Sequence, residues 1–184
     1  MAGIARRCFI SYHHADQTEV DRFIRTFDST HSAFSARGLG QEMDPDIVQS
    51  TNTDYVMRRI RERYLRGTSV TLVMLGRCTW ARRYADWETQ ASLYRAAGSP
   101  PNGLLAIKLP SWQDGWAFPD RLNMNLLSSE KQAAGATQCY ARHMPYPQTV
   151  EALQAAIEEA YTRRENQADL IVNPRDRLSY NRQC

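Results

Sequence analysis

Three continuous apolar runs punctuate the chain: Cys8 to Tyr12, Val70 to Leu75 and Leu104 to Leu109. Each has strand length, ends at polar or turn-forming residues and shows little alternation, the pattern of a strand covered on both faces. Ser32 to Ala36 and Cys139 to Ala141 are weaker runs that suit edge or late strands. Between these runs apolar residues recur at helical spacing, each set forming one stripe. The stripes are Val20, Phe23, Ile24 and Phe27; Val56, Met57, Ile60 and Tyr64; Tyr84, Trp87, Ala91 and Tyr94; and Val150, Leu153, Ile157 and Tyr161. Strands alternating with helices in this way predict an α/β fold, an open, mostly parallel five-stranded sheet with helices on both faces. Residues 110–137, with Trp112, Trp116 and Pro119, interrupt the alternation as a long irregular connection, and such connections are often functional. Beyond Arg164 the chain turns polar. Residues 1–165 therefore read as one domain, and 166–184 as a tail lying on the surface or docking a partner.

Composition adds constraints rather than a fold. With 184 residues, 42% of them hydrophobic and 23% charged, the chain can bury a core without metal or disulfide staples. No run approaches the ~18 apolar residues of a membrane span. Arg6 and Arg7 are followed by too short an apolar stretch for a signal peptide, so a cytoplasmic protein without a membrane role is expected. Cysteines at 8, 78, 139 and 184 show no paired spacing, and reduced, packed thiols are the expectation. The net charge is +3, yet of 23 basic residues only Lys108 and Lys131 are lysines. Arginine forks suit phosphates and carboxylates, which is compatible with a phosphate-bearing ligand. An arginine-favouring genome gives the same excess. No signature of nucleic-acid binding stands out.

In open parallel sheets a ligand binds outside the carboxyl ends of the strands. The first strand is followed there by Ser11, Tyr12, His13, His14 and Asp16, and the third by Gly76, Arg77, Cys78, Thr79 and Trp80. Neither a phosphate loop, nor GxGxxG after a strand, nor a GxSxG elbow occurs. A phosphoacceptor receiver would need acidic residues where Ser11-Tyr12 and Gly76-Arg77 stand. His13, His14 and Asp16 carry metal-binding groups, but adjacent histidines in a turn point apart, so no metal site is expected. Asp16 falls where the cap of the next helix is expected.

The run Cys8-Phe9-Ile10-Ser11-Tyr12-His13-His14-Ala15-Asp16 resembles the first-strand motif of TIR domains. Thr68 to Gly76, followed by Arg82-Arg83-Tyr84 and Glu88, resembles the TIR-like proteins of bacterial Thoeris antiphage systems. The resemblance spans residues 6–165 and implies a flavodoxin-like (TIR) sheet. It also implies cleavage of NAD+ at the nicotinamide–ribose bond, with NAD+ as substrate and no further cofactor. Glu88 occupies the position of the catalytic glutamate, and Tyr84 a place where these enzymes usually have tryptophan. Ser11, Tyr12, His13 and His14 match first-loop positions that border the nicotinamide end of the pocket. Gly38 to Ile47 corresponds to the loop that gates the site and joins neighbouring TIR domains.

The chemistry is coherent in its own terms. Nicotinamide is already a cationic leaving group, so a carboxylate facing an oxocarbenium-like ribosyl centre is the main requirement. An aromatic one helical turn away and an arginine for the pyrophosphate complete it. Arg82 and Arg83 either meet that pyrophosphate or face solvent as helix-start residues. Without the resemblance, Glu88 reads as a solvent-facing helix glutamate paired with a nearby arginine. The expected function is thus an NAD+ glycohydrolase or cyclase whose ADP-ribose-derived nucleotide diffuses to a separate antiphage effector, with TIR–TIR self-association. The alternative is a non-catalytic TIR scaffold acting through domain–domain contacts.

Overall fold

A computed structural model describes residues 5–28, 34–37, 43–95 and 99–184. Five strands form one parallel sheet: β1 (Arg6–Ser11), β2 (Phe34–Arg37), β3 (Val70–Leu75), β4 (Gly103–Lys108) and β5 (Arg142–Met144), in the order β2-β1-β3-β4-β5. Cys8 stands opposite Val70 and Ser11 opposite Val73, while β3 and β4 pair from Val70↔Gly103 to Leu75↔Lys108. The helices are α1 (Gln17–Phe27), α2 (Pro45–Gln49), α3 (Thr53–Ile60), α4 (Arg83–Leu93), α5 (Asp120–Asn125), α6 (Ser129–Ala133) and α7 (Val150–Asn166). The flavodoxin-like TIR topology expected from the sequence is therefore present. Its strand order reverses between β1 and β3, and the crevice outside those two strand ends is the switch point where such folds bind ligands.

Strand alternation decides which layer each residue joins. On β1, Cys8 and Ile10 enter a core with Val20, Phe23 and Phe27 of α1 and Leu153 and Ile157 of α7. Phe9 points the other way, to Ile47, Val56, Met57, Ile60 and Trp87 of α2, α3 and α4. A third cluster under β3 and β4 joins Val73, Leu75 and Leu104 to Leu93, Leu122 and Tyr140. The helix stripe from Val56 to Tyr64 breaks in two, α3 passing into a π-helical turn at Arg61–Leu65.

Three expectations need correction. The fifth strand is Arg142–Met144, not Cys139 to Ala141. Tyr140 and Ala141 are apolar because they plug the sheet from below: Tyr140 Oη donates to the Asn102 carbonyl at 2.7 Å and the Ala141 amide to the Asn125 carbonyl. Tyr12 lies beyond β1, which ends at Ser11. The cysteines are not all reduced: Cys78 and Cys184 form a disulfide, leaving Cys8 and Cys139 free and buried. A bridge across 106 positions is invisible in the spacing of cysteines.

The tail explains another surprise. Helix α4 is buried almost all round, from Ala85 through Leu93 apart from half-buried Glu88, including Asp86, Thr89, Gln90 and Ser92. Residues 171–184 run as an extended strap over its outer face. Arg121 of α5, 3% exposed, is the hub. It donates to Asp86 Oδ1 at 2.9 Å, Asn173 Oδ1 at 2.8 Å, and the Pro174 and Asp176 carbonyls at 2.9 and 2.6 Å. Ser32 and Ala33 at the start of the expected second strand lie outside the described residues.

Candidate active site at the β1–β3 crevice

Helix α4 follows β3 through the turn Gly76–Arg82, so its first turns stand at the carboxyl end of the sheet. Ser11 closes β1 with the same parity as Phe9 and so faces α4. Its hydroxyl, wholly buried, donates to Glu88 Oε2 at 2.6 Å. This contact joins residues 77 positions apart and puts the glutamate at the switch point. Burial pushes the Glu88 carboxyl up to about 7, and the Ser11 hydrogen bond pulls it back only partly. One turn on, Ser92 Oγ donates to the Glu88 carbonyl at 2.7 Å and meets Thr71 Oγ1 of β3 at 2.7 Å. Asn102 Nδ2 donates to that same Thr71 hydroxyl at 3.2 Å. The backbone carrying Glu88 is thus tied to the sheet by a line of buried hydroxyls.

The other expected residues divide between two layers. Tyr84, half-buried, stands one turn before Glu88 with its ring edge-on to Trp87 at 5.9 Å, and its hydroxyl accepts from Arg83 Nη2 at 2.9 Å. His13 is half-buried, and burial first, then the charges of Arg82 and His14, hold its pKa below the usual histidine value. Arg82 therefore reaches the loop after β1 electrostatically, while its Nε donates to the Cys78 carbonyl at 3.3 Å. Tyr12 is placed elsewhere: it packs against the α1–α7 core and its hydroxyl donates to Gln17 Oε1 at 2.5 Å. His14 is exposed at the start of a 3-10 turn.

Of the gating segment Gly38 to Ile47, residues 38–42 lie outside the described residues. Met43 and Ile47 are buried against the Phe9 layer. The Asp44 amide donates to Tyr64 Oη at 3.1 Å, and Arg63 pairs with the Asp44 carboxylate at 2.5 Å.

Asp16 plays a part the sequence did not announce. It stands at the N-cap of α1 yet makes no side-chain cap bond. Its carboxyl lies instead over Gly76, so close that a Cβ there would sit 2.1 Å from Oδ2. Oδ2 is buried with no hydrogen-bond partner, and burial pushes this carboxyl up to about 6. The legible signal was Gly76 itself, a glycine directly after a continuous apolar strand, where a close approach is one reason for the missing side chain.

The arrangement offers a carboxyl poised near neutrality beside a hydroxyl, in a crevice between strand ends, with an aromatic ring one turn away. Such a group can face a developing positive charge when ionised or exchange a proton near pH 7. Among the described residues no cluster of three or more His, Cys, Asp or Glu could hold a metal ion. A cavity of about 880 Å³ lies between α5, α6 and β5, lined by Met124, Leu126 and Arg142, and Glu88 does not line it. Among the described residues no helix is long and apolar enough to cross a membrane. A family model described as Thoeris protein ThsB, TIR-like domain, matches residues 9–114, more than half of the chain. A search of curated proteins finds no match.

Proposed function

Because the chain belongs to the family of TIR-like domains of the Thoeris protein ThsB, we propose that it cleaves NAD+ at the nicotinamide–ribose bond with Glu88 as the catalytic group. One observation carries the reading: the contact of buried Ser11 with half-buried Glu88 at the β1–β3 switch point. As the C1′–N bond breaks, its electron pair leaves with nicotinamide and positive charge grows on the ribose. The Glu88 carboxylate faces that charge, and its partial separation from water strengthens the interaction. Ser11 fixes which carboxylate oxygen turns inward. The Tyr84 ring offers a stacking surface, and Arg82, with His13 beside it, offers charge to the pyrophosphate. Water, or a hydroxyl of the same nucleotide, then adds to C1′ and gives up its proton. The product is an ADP-ribose-derived nucleotide that reaches a separate antiphage effector through the cytoplasm, and self-association of TIR domains arranges the site.

The test is nicotinamide release from NAD+ by wild-type protein and by Glu88→Gln, each purified and each added to lysate of phage-infected cells. Release by wild type and its loss in a folded Glu88→Gln protein supports the reading. Full release by Glu88→Gln removes Glu88 from the chemistry. Protection against phage by a wild type that releases no nicotinamide even in infected lysate establishes a scaffold instead.

A further inference from the structure

The strap over α4 is held in two different ways along its length. Its first part is densely bonded to α4 and α5. Asn173 Nδ2 donates to the Gln90 carbonyl, and Gln90 Nε2 donates to the Pro174 and Arg175 carbonyls. Arg121 binds Asn173, Pro174 and Asp176. The Leu178 amide donates to Asp86 Oδ2 at 2.9 Å, and Trp87 Nε1 to the Leu178 carbonyl at 2.8 Å.

Beyond Leu178 the strap is different. Ser179, Tyr180, Asn181, Gln183 and Cys184 are exposed. The Arg182 amide donates to the Ala81 carbonyl at 2.8 Å, and the Arg83 amide, at the start of α4, donates to Asn181 Oδ1 at 3.0 Å. Arg182 pairs with Asp120 at 2.8 Å across open surface. The exposed bonds of Asn181 with Arg83 and of Arg182 with Asp120 gain little over water, while ordering six backbone residues is entropically costly. The remaining attachment is covalent, Cys184 to Cys78. Cys78 lies in the turn that leads from β3 into α4, the helix that bears Glu88.

We propose that Cys78–Cys184 is a reversible thiol–disulfide latch that, when closed, clamps residues 179–184 onto the first turn of α4 and, when opened by a dithiol reductant, releases them. Cys184 is exposed and Cys78 partly so, whereas Cys8 and Cys139 are buried beyond reach. A thiolate of the reductant attacks the Cys184 sulfur, the S–S bond breaks, and Cys78 leaves as thiolate and takes a proton. The second thiol of the reductant then displaces Cys184. Two electrons have passed to the pair, each cysteine ends as a thiol, and the reductant ends as a disulfide. Opening frees the Arg83 amide and the Ala81 carbonyl while the Arg121 hub keeps residues 172–178 seated. This inference goes beyond NAD+ cleavage and stands or falls without it.

The experiment is amide hydrogen exchange followed by NMR on full-length protein, first treated with glutathione disulfide and then with dithiothreitol, alongside Cys184→Ser. Thiols are counted by maleimide labelling in the folded state. The expected result is no labelling of Cys78 or Cys184 after oxidation and labelling of both after reduction. On reduction the Arg182 and Arg83 amides exchange at least about tenfold faster, and the Leu178 amide is unchanged, as local release requires. Cys184→Ser shows the fast pattern under both conditions. Equal exchange of Arg182 and Arg83 in oxidised and reduced protein overturns the latch, as does failure of glutathione disulfide to close the pair.

Discussion

Replacing Ser11 by alanine removes a single hydroxyl from a buried position and leaves the fold's volume almost intact. What it takes away is the hydrogen bond to Glu88 at 2.6 Å, the one contact that favours the ionised carboxylate against burial. A hydrogen bond to a charged group contributes about 1.5–3 kcal/mol, and about 1.4 kcal/mol corresponds to one pH unit in a titration. The Glu88 carboxyl, already up to about 7 by burial, therefore ionises about one pH unit or more higher in Ser11→Ala. If cleavage needs the carboxylate, kcat/KM for NAD+ follows the ionised fraction in the free enzyme. At pH 7 that fraction falls from about a half to about a tenth, a loss of about fivefold, whereas near pH 9 the two proteins come within about twofold. The assay is nicotinamide release from pH 5.5 to 9.5, with melting curves at each pH to confirm folding. An equal loss at pH 7 and pH 9 would refute the reasoning, since it would mean that Ser11 acts on the substrate rather than on the ionisation of Glu88.

Three further predictions follow from the same geometry. The Glu88 carboxyl sits at about 7 against 4.5 for the free group, so the folded state holds the proton more tightly. Stability from this group is complete below about pH 4.5 and is lost as pH rises through 7; Glu88→Gln should match wild type in melting near pH 4.5 and exceed it by up to about 3 kcal/mol near pH 8. A variant that melts identically to wild type at both pH values would place the carboxylate in water. Arg121→Ala leaves the buried Asp86 carboxylate without its cation and the Asn173 Oδ1 and Asp176 carbonyl without this donor, and should cost about 3–5 kcal/mol in urea unfolding; a cost below about 1 kcal/mol would show that the strap re-pairs. Tyr12→Phe loses the bond to Gln17, about 0.5–1.5 kcal/mol, with NAD+ cleavage unchanged. A tenfold fall in cleavage at unchanged stability would put that hydroxyl in the site.

The parts of this molecule that could be read along the chain are those set by local pattern. Val70 to Leu75 is wholly buried because β3 lies in the middle of the sheet, and a centre strand writes itself as an unbroken apolar run. Ser11 could be singled out because it ends a strand, whereas Glu88 was marked by the resemblance to Thoeris TIR-like proteins, since by pattern alone it reads as a solvent-facing helix glutamate. Tyr12 shows the limit of such reading. It is adjacent to Ser11, but period-two alternation carries its side chain to the α1–α7 layer, and a motif gives no face. Asp16 reads locally as a helix cap; its approach to Gly76 is a contact across 60 positions that only the folded sheet creates. The same holds for Asp86 with Arg121 and for Cys78 with Cys184, whose chemistry is ordinary and whose partners are remote. The tail looked like polar surface because many of its bonds are made by backbone carbonyls, which every residue possesses.

The strap also imposes an order on synthesis. Residues 172–184 leave the ribosome after every element they cover, about 80 to 100 positions later than their partners Ala81, Asp86, Trp87 and Gln90. Until the strap arrives, α4 carries an acidic side chain, an indole and an amide on a face that the finished protein encloses. Contacts separated by more than 80 positions form late, because the intervening chain must first be compacted. The nascent protein therefore assembles its sheet and the Ser11–Glu88 contact as a domain still open on one flank, and the seating of α4 follows. During that interval the bare flank is the surface most exposed to capture by chaperones or by a neighbouring copy.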